Sequence, residues 1–191
     1  MKNTVIACAI SLLAMGAAQA QGDPMHYVVG AGVTFGGDKL ATTRYTNGSS
    51  SNIRAGSGLA LLAGVDYRVS PEFSVQATVG YHIHFTQEAS NGDADFRRLP
   101  VELLGYYHLA PQWRVGGGLR FVSNAKLHGS GAASGLNENF DNSSSIVAET
   151  EYFVNPKLGI KLRFANDEFK SERTKQTYSG KHVGLLANYY F

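Results

Sequence analysis

Apolar and polar residues alternate with a period of two along most of the chain, which is the pattern of β-strands with one apolar face. The clearest run extends from Phe73 to Phe85, where every odd position is apolar or aromatic and every even position is Ser, Gln, Thr, Gly or His. Helical periodicity appears nowhere after residue 20. Similar alternation predicts seven further strands, at 27–35, 59–68, 98–109, 113–121, 146–154, 158–164 and 182–191.

Two kinds of connection alternate between these strands. Three are short turns built around Pro71, Pro111 and Pro156, because proline presets φ for a tight turn. The other four are long segments rich in Ser, Asn, Gly and Thr, at 37–55, 86–95, 126–143 and 169–178. This order predicts an all-β fold, an eight-stranded antiparallel up-and-down transmembrane β-barrel. Pro100 lacks a ladder donor and predicts a bulge or local bend near the loop end of its strand.

Alternation alone leaves two orientations open, since the apolar columns could line a soluble barrel or face lipid. The positions of the aromatic residues favour lipid. Outer-membrane barrels carry one aromatic girdle at each edge of an apolar band roughly 25 Å tall. One predicted group lies near the short turns (Tyr67, Phe73, Tyr107, Trp113, Tyr152, Tyr189) and the other near the loops (Phe35, Phe85, Phe121, Phe164).

The N-terminus has the layout of a secretory signal peptide. A short positive start at 1–3 precedes an apolar stretch at 4–17 and the small-residue motif Ala18-Gln19-Ala20. We therefore expect a signal peptide over 1–20, cleavage between Ala20 and Gln21, and an outer-membrane barrel domain over 21–191. The single cysteine lies inside the predicted leader, so the exported chain would contain no disulfide.

Composition narrows the possible functions. The chain has 17 Lys+Arg against 15 Asp+Glu, a formal charge of +2, so no nucleic-acid partner is expected. Charged residues make up 17%, less than the usual ~25%, and no apolar run is long enough for a spanning helix. No sequence motif indicates a cofactor or a cysteine zinc site, and we predict neither a cofactor nor a metal.

Charged residues collect on the polar column that would face the barrel interior. A buried charge must be paired, because an unpaired one costs several kcal/mol. The pattern therefore predicts an interior ion-pair network that fills the barrel, with a polar conduction path as the alternative. His82, His84 and Glu102 share this column and could begin a metal site, but neutral histidines filling the interior are favoured. The predicted network is Asp66, Arg68, Arg98, Glu102, Arg114, Arg120, Glu149, Glu151, Lys161 and Arg163.

The end of the chain carries the most specific resemblance. Val183, Leu185, Ala187, Tyr189 and Phe191 stand at alternate positions and end on an aromatic residue. This ending resembles the signal by which the barrel-assembly machinery recognises bacterial outer-membrane barrels. Residues 25–191 as a whole resemble the small eight-stranded barrels of the OmpX/OmpA type. The resemblance implies a monomer in the outer membrane, in contact with membrane lipid and lipopolysaccharide, that uses the assembly machinery during biogenesis.

The sequence favours a non-enzymatic protein with a structural or adhesion-like role carried by its outer loops. A narrow channel or transporter for a small solute is the alternative, and a lipid A-modifying enzyme is the second. A hydrolase would need a Ser–His–acid arrangement, and one long loop offers His128, Ser130 and Asp141. The weakly basic segment 169–181 could contact lipopolysaccharide phosphates.

Overall fold

The computed structural model describes residues 24–44, 50–85 and 93–191. The predicted signal peptide and its cleavage site at Ala20–Gln21 lie outside these residues. No helix in the described part of the chain is long and apolar enough to cross a membrane.

Strands account for nearly all of the regular structure in these ranges. One 3-10 helix spans Gly131–Leu136. The strands are β1 (Met25–Gly36), β2 (Lys39–Arg44), β3 (Ser50–Arg54), β4 (Gly58–Arg68), β5 (Phe73–Phe85), β6 (Ala94–Ala110), β7 (Trp113–Gly129), β8 (Glu138–Asn139), β9 (Ser143–Asn155), β10 (Leu158–Ala165), β11 (Glu168–Lys170), β12 (Thr177–Ser179) and β13 (His182–Tyr190).

Eight of these strands close into a barrel. The order around it is β6-β5-β4-β1-β13-β10-β9-β7, and pairing between β7 and β6 completes the ring. All of these pairings are antiparallel. Short turns at 69–72, 111–112 and 156–157 join strands at one end, and long connections lie at the other. The predicted eight-stranded up-and-down barrel is confirmed.

The outer wall of the barrel is apolar. Along β13, residues from His182 to Tyr190 are alternately buried and exposed, and the exposed ones are apolar or aromatic. Leu103, in the middle of β6, exposes 53% of its surface, and Phe35 and Phe73 near opposite ends expose 62% and 53%. Only hydrocarbon accommodates so many exposed apolar side chains without a large cost, so the apolar columns face lipid.

Pro100 disturbs the barrel wall as predicted. The β5–β6 register runs from Val79 opposite Val101 directly to His82 opposite Arg98, which leaves a gap in the ladder at Pro100. On the other side, the β6–β7 register shifts between Arg97 and Leu99. The missing proline N–H and the resulting bulge lie near the loop end of β6.

The long connections pack together into a cap over the loop end of the barrel. It consists of the β2–β3 and β11–β12 hairpins, the 3-10 helix, β8 and the outer ends of β6 and β7. Phe96 lies at its centre, with ring centroids 5.4 Å from both Phe140 and Phe169. The cap core comprises Ala41, Ile53, Ala55, Ala94, Phe96, Val122, Ala125, Leu127, Ala133, Phe140 and Phe169.

Candidate functional site

The barrel interior, here called the bore, contains three layers of buried ion pairs. The layer nearest the short turns is centred on Arg114, which β7 directs inward. Its guanidinium lies 2.7 Å from Asp66 Oδ2 and 2.7 Å from Glu151 Oε2, and it donates a 2.6 Å hydrogen bond to the Tyr190 hydroxyl. The same group stacks over the Tyr106 ring, 4.0 Å from its centroid. Arg114 therefore joins strands β4, β7, β9, β6 and β13 across the bore.

The middle layer is centred on Glu149. Lys161 Nζ lies 2.8 Å from one carboxylate oxygen, and Arg163 lies 2.5 Å from the other. The Tyr106 hydroxyl also donates to Glu149. Arg163 continues to Glu102, where its Nη1 and Nη2 donate hydrogen bonds of 2.9 and 2.6 Å to the two oxygens. This bidentate pair is the geometry in which arginine binds a carboxylate most strongly.

The layer nearest the cap begins where Arg120 donates to Glu102. Arg120 Nε also lies 3.2 Å from Asp167, which accepts a 2.5 Å hydrogen bond from Ser145. His182 Nδ1 is 3.9 Å from the same carboxylate. Because Glu102 has partners in both layers, the middle and upper layers form one continuous network.

Two of the predicted network residues depart from the prediction. Arg68 is exposed and donates to the Pro71 carbonyl at 3.0 Å, because it ends β4 where the strand leaves the barrel. Arg98 is fully buried, but it donates to the carbonyls of Ala55 and Ser57 and stacks on Phe96 at 4.7 Å. Its charge is held by backbone carbonyls and an aromatic ring under the cap, with no direct carboxylate contact.

The sequence reasoning missed Asp167 and three neutral partners, Gln76, Tyr106 and Tyr190. Asp167 follows β10 outside any alternating run, so no periodicity indicates that it points inward. Tyr106 shares the parity of Glu102 on β6, and that parity would have placed it in the bore. With Asp167 included and Arg68 excluded, the bore balances five buried acids (Asp66, Glu102, Glu149, Glu151, Asp167) against five buried bases (Arg98, Arg114, Arg120, Lys161, Arg163).

The histidines do not assemble a metal site. His82 Nε2 lies 2.8 Å from the Thr34 hydroxyl inside the bore, whereas His84 Nδ1 accepts from the Arg54 backbone at the loop end. Glu102 is already bound to arginines. No group of three or more His, Cys, Asp or Glu in the described ranges is arranged to hold a metal ion.

The loop residues considered as a catalytic trio are separated. Ser130 donates to Asp93, His128 is exposed, and no hydrogen bond joins any two of His128, Ser130 and Asp141. A different Ser–His contact occurs at the short-turn mouth, where Ser74 Oγ lies 3.0 Å from His108 Nε2. Arg114 also donates to this serine, at 3.1 Å.

The terminal residues lie on the outer wall. The side chains of Val183, Leu185, Tyr189 and Phe191 are exposed on the lipid-facing surface. Phe191 donates its backbone N–H to the Tyr27 carbonyl at 2.9 Å, and its ring lies 5.0 Å from Tyr189. The last residue is thus anchored beside β1, where the barrel closes.

An eight-stranded barrel with an apolar wall, two aromatic girdles and a charged, filled bore defines an integral membrane β-barrel protein. The family model described as the outer membrane protein beta-barrel domain matches residues 5–191, and the chain belongs to this family. It is a multi-pass protein of the outer membrane, where its wall contacts membrane lipid. No curated protein matches the chain at a significant level of sequence similarity.

Three solved structures with this fold are similar in structure but distant in sequence. Neisserial surface protein A has 13% identity and a TM-score of 0.53, with 88% of this chain and 98% of that one covered. The outer membrane protein OprG of Pseudomonas aeruginosa has 15% identity and a TM-score of 0.53, covering 88% and 96%. Ail, the attachment invasion locus protein of Yersinia pestis, has 13% identity and a TM-score of 0.51, covering 87% and 97%. At these identities the likeness concerns the fold alone.

Proposed function

We propose that this protein is a closed, non-conducting barrel that supports a surface-interaction role through its cap. The observation that carries this proposal is the continuous side-chain network across the bore. Eight strands leave an interior just wide enough for side chains to fill. Here one ion pair at each of three successive depths joins strands that are not neighbours in the sheet. Arg114 of β7 contacts Asp66 of β4, Arg163 of β10 contacts Glu102 of β6, and Arg120 of β7 contacts Asp167 after β10.

The energetics of the network favour permanent closure. Breaking a buried ion pair by removing one partner costs roughly 3–5 kcal/mol, because the other charge is left uncompensated in a poorly solvated site. A conducting state would have to separate pairs in all three layers at once. The narrow channel or transporter is therefore the less favoured candidate.

The cap supplies the surface through which an interaction would occur. Its β11–β12 hairpin presents exposed Lys170 and Lys175, and Arg173 is held 2.7 Å from Glu138. Ail has been solved in complex with the heparin analogue sucrose octasulfate, an anionic ligand. A structural or adhesion-like role with an anionic partner at this hairpin is consistent with those charges.

Planar-bilayer recording of the purified protein tests the closed state. We expect no reproducible single-channel steps under conditions in which a general porin, recorded in parallel, conducts. Steady unitary steps from the wild-type protein would contradict the closed barrel and support the transporter.

We infer no catalytic role. The Ser74–His108 contact has no carboxylate bonded to the other ring nitrogen of His108, and Arg114 engages the serine, so the orienting acid of a hydrolytic triad is missing there. A mass profile of lipid A from cells with and without the gene tests this inference. Identical profiles are expected, and a modification that depends on the gene would overturn it.

We also propose that the protein is a monomer and that Val183, Leu185, Ala187, Tyr189 and Phe191 form its assembly signal. Two observations support the second proposal: these side chains form one apolar column on the outer wall, and their strand, β13, pairs with β1 where the barrel closes. Deleting Phe191 should lower the amount of protein assembled in the outer membrane more than Asn188→Ala does. Equal amounts of assembled protein for the two variants would contradict the proposed assembly signal.

A further inference from the structure

The wall of the barrel contains a recess at the loop end, between β1 and β5. The strand between them, β4, begins at Gly58 opposite Thr34, whereas β1 continues to Gly36 and β5 to Phe85. The chain before Gly58 turns into the mouth of the bore, where the Gly56 carbonyl accepts a 2.8 Å hydrogen bond from Thr34. With neighbouring strands about 4.8 Å apart, one missing strand leaves β1 and β5 separated by roughly 10 Å.

The recess is amphipathic. It has a volume of about 700 Å³, and its lower walls are the lipid-facing side chains of Val33, Phe35, Leu59, Ile83 and Phe85. Ser57 closes its inner side, donating to the Gly36 carbonyl and accepting from the Gly36 N–H, both at 3.1 Å. The volume lies within the range of about 300–1,000 Å³ typical of small-molecule pockets.

Arg54 spans the upper edge of the recess. Its backbone N–H donates to His84 Nδ1 of β5 at 3.0 Å, and its Nη1 donates to the Gly37 carbonyl beyond β1 at 3.1 Å. The side chain is exposed, none of the residues lining the recess is acidic, and Lys39, also exposed, lies opposite Arg54 in the β2–β3 pair. The guanidinium thus keeps donors available to an anion above an apolar groove.

We propose that this recess binds one phosphorylated lipid A-type glycolipid of the outer leaflet. An acyl chain lies between β1 and β5, and a phosphate accepts hydrogen bonds from Arg54, with Lys39 as the second cation. The arrangement of the recess along the membrane normal fits such a lipid, because its apolar side chains lie toward the membrane centre and its cations lie at the headgroup level. Arginine is suited to this contact since its planar donors match phosphate geometry. The inference rests on the outer-membrane location and is independent of whether the bore conducts.

Native mass spectrometry of the detergent-purified protein, titrated with bisphosphorylated lipid A, tests the phosphate contact. Loss of one charge-assisted pair predicts about tenfold weaker binding for Arg54→Gln, with binding largely retained in Arg54→Lys. Lys126→Gln is the control, because Lys126 is an exposed cation at the loop end of β7, away from the recess. Chemically dephosphorylated lipid A should bind the wild-type protein as weakly as bisphosphorylated lipid A binds Arg54→Gln.

A second pair of variants tests the acyl groove. Val33→Trp fills the recess and should also weaken binding about tenfold, whereas Val101→Trp, on the lipid-facing wall of β6, should leave it unchanged. Equal losses in the two tryptophan variants would overturn the proposal, because the bound lipid would then be unspecific. The proposal is also wrong if Arg54→Gln and Lys126→Gln bind lipid A alike, or if phosphate removal has no effect. An unchanged urea midpoint for each variant confirms that the barrel is folded.

Discussion

The bore and the cap have opposite interiors, although the same chain builds both. In the bore the buried side chains include five acids and five bases, and the apolar side chains face outward into lipid. In the cap the core is apolar, with Phe96, Phe140 and Phe169 in mutual contact. Its acidic side chains lie at the edge of that core and pair with exposed arginines, as in Arg97–Asp95 and Arg173–Glu138. The surrounding medium explains the inversion. Lipid offers no advantage to burying apolar groups, whereas water above the membrane does.

This contrast implies different sources of stability. The bore is stable only while every buried charge is paired. Removing one partner lowers the free energy of unfolding, because the other charge is left buried and uncompensated. The cap depends on the removal of apolar area from water, as in a soluble domain. Arg98 joins the two regions, because it reaches from β6 to the Ala55 and Ser57 carbonyls and stacks on Phe96 and Phe169.

The largest difference should appear between a carboxylate buried in the bore and the exposed member of an ion pair on the cap. Glu149→Ala in the bore leaves Lys161 without its carboxylate and should lower the free energy of unfolding by about 3–5 kcal/mol. Urea unfolding in lipid vesicles, followed by Trp113 fluorescence, measures this loss. Arg173→Ala, the control, removes the exposed partner of Glu138 on the cap and should cost less than about 1 kcal/mol. Similar losses in the free energy of unfolding for the two variants would contradict the proposed difference between the bore and the cap.

A cap variant should act locally. Phe96→Ala removes the ring at the centre of the cap core and should destabilise the cap by about 3 kcal/mol. Hydrogen exchange is expected to accelerate in β2, β3, β11 and β12 while the amides of β1 and β13 keep their protection. Equal acceleration in barrel and cap would show that they unfold as one unit.

The free-energy cost of placing a charge on the barrel wall should depend on the depth of the substituted residue in the membrane. Leu103→Arg, at mid-strand on the lipid-facing surface, should lower the free energy of unfolding by about 2–4 kcal/mol. Ser144→Arg, opposite Phe121 of the outer girdle, should cost at most about 1 kcal/mol. The same unfolding assay compares them, and equal costs would contradict the assigned membrane position.

The smallest expected effect is a pH dependence confined to the cap. Partial burial raises the pKa of Glu138, but hydrogen bonds from Ser171 and Arg173 outweigh it and leave the pKa below its ordinary value of 4.5. A lowered pKa means that this contact stabilises the hairpin above pH 4.5 and is lost as the pH falls through the lowered pKa. NMR titration of the Ser171 and Arg173 amides should show this change, and Glu138→Gln should abolish it. A titration that persists in the variant would contradict the assignment.

Sequence reasoning recovered the barrel because its alternation is strict. Lipid-facing positions within the apolar band are predominantly apolar, so the run from Phe73 to Phe85 has the period and the length of one membrane-spanning strand. The bore was recovered only in part, since alternation predicts which side chains point inward and not which of them meet. Arg68 has inward parity but ends its strand at the mouth, and Asp167 enters from a loop with no periodicity at all.

The cap could not be predicted for a related physical reason. Its core is assembled from seven short segments that contribute one to three residues each, and Ile53, Phe140 and Phe169 stand outside the alternating runs of the sequence. Long polar connections suggested surface loops, and the apolar residues within them signal a packed structure only once the topology brings them together.

We expect the ion-pair layers to close the bore independently of the cap. Single-channel recording of the double variant Phe96→Ala/Phe169→Ala tests this closure, because the change disrupts the cap core and leaves the charges of the bore in place. The variant should stay silent, like the wild-type protein. Steady unitary conductance in the variant alone would show that the cap, and not the bore, seals the barrel.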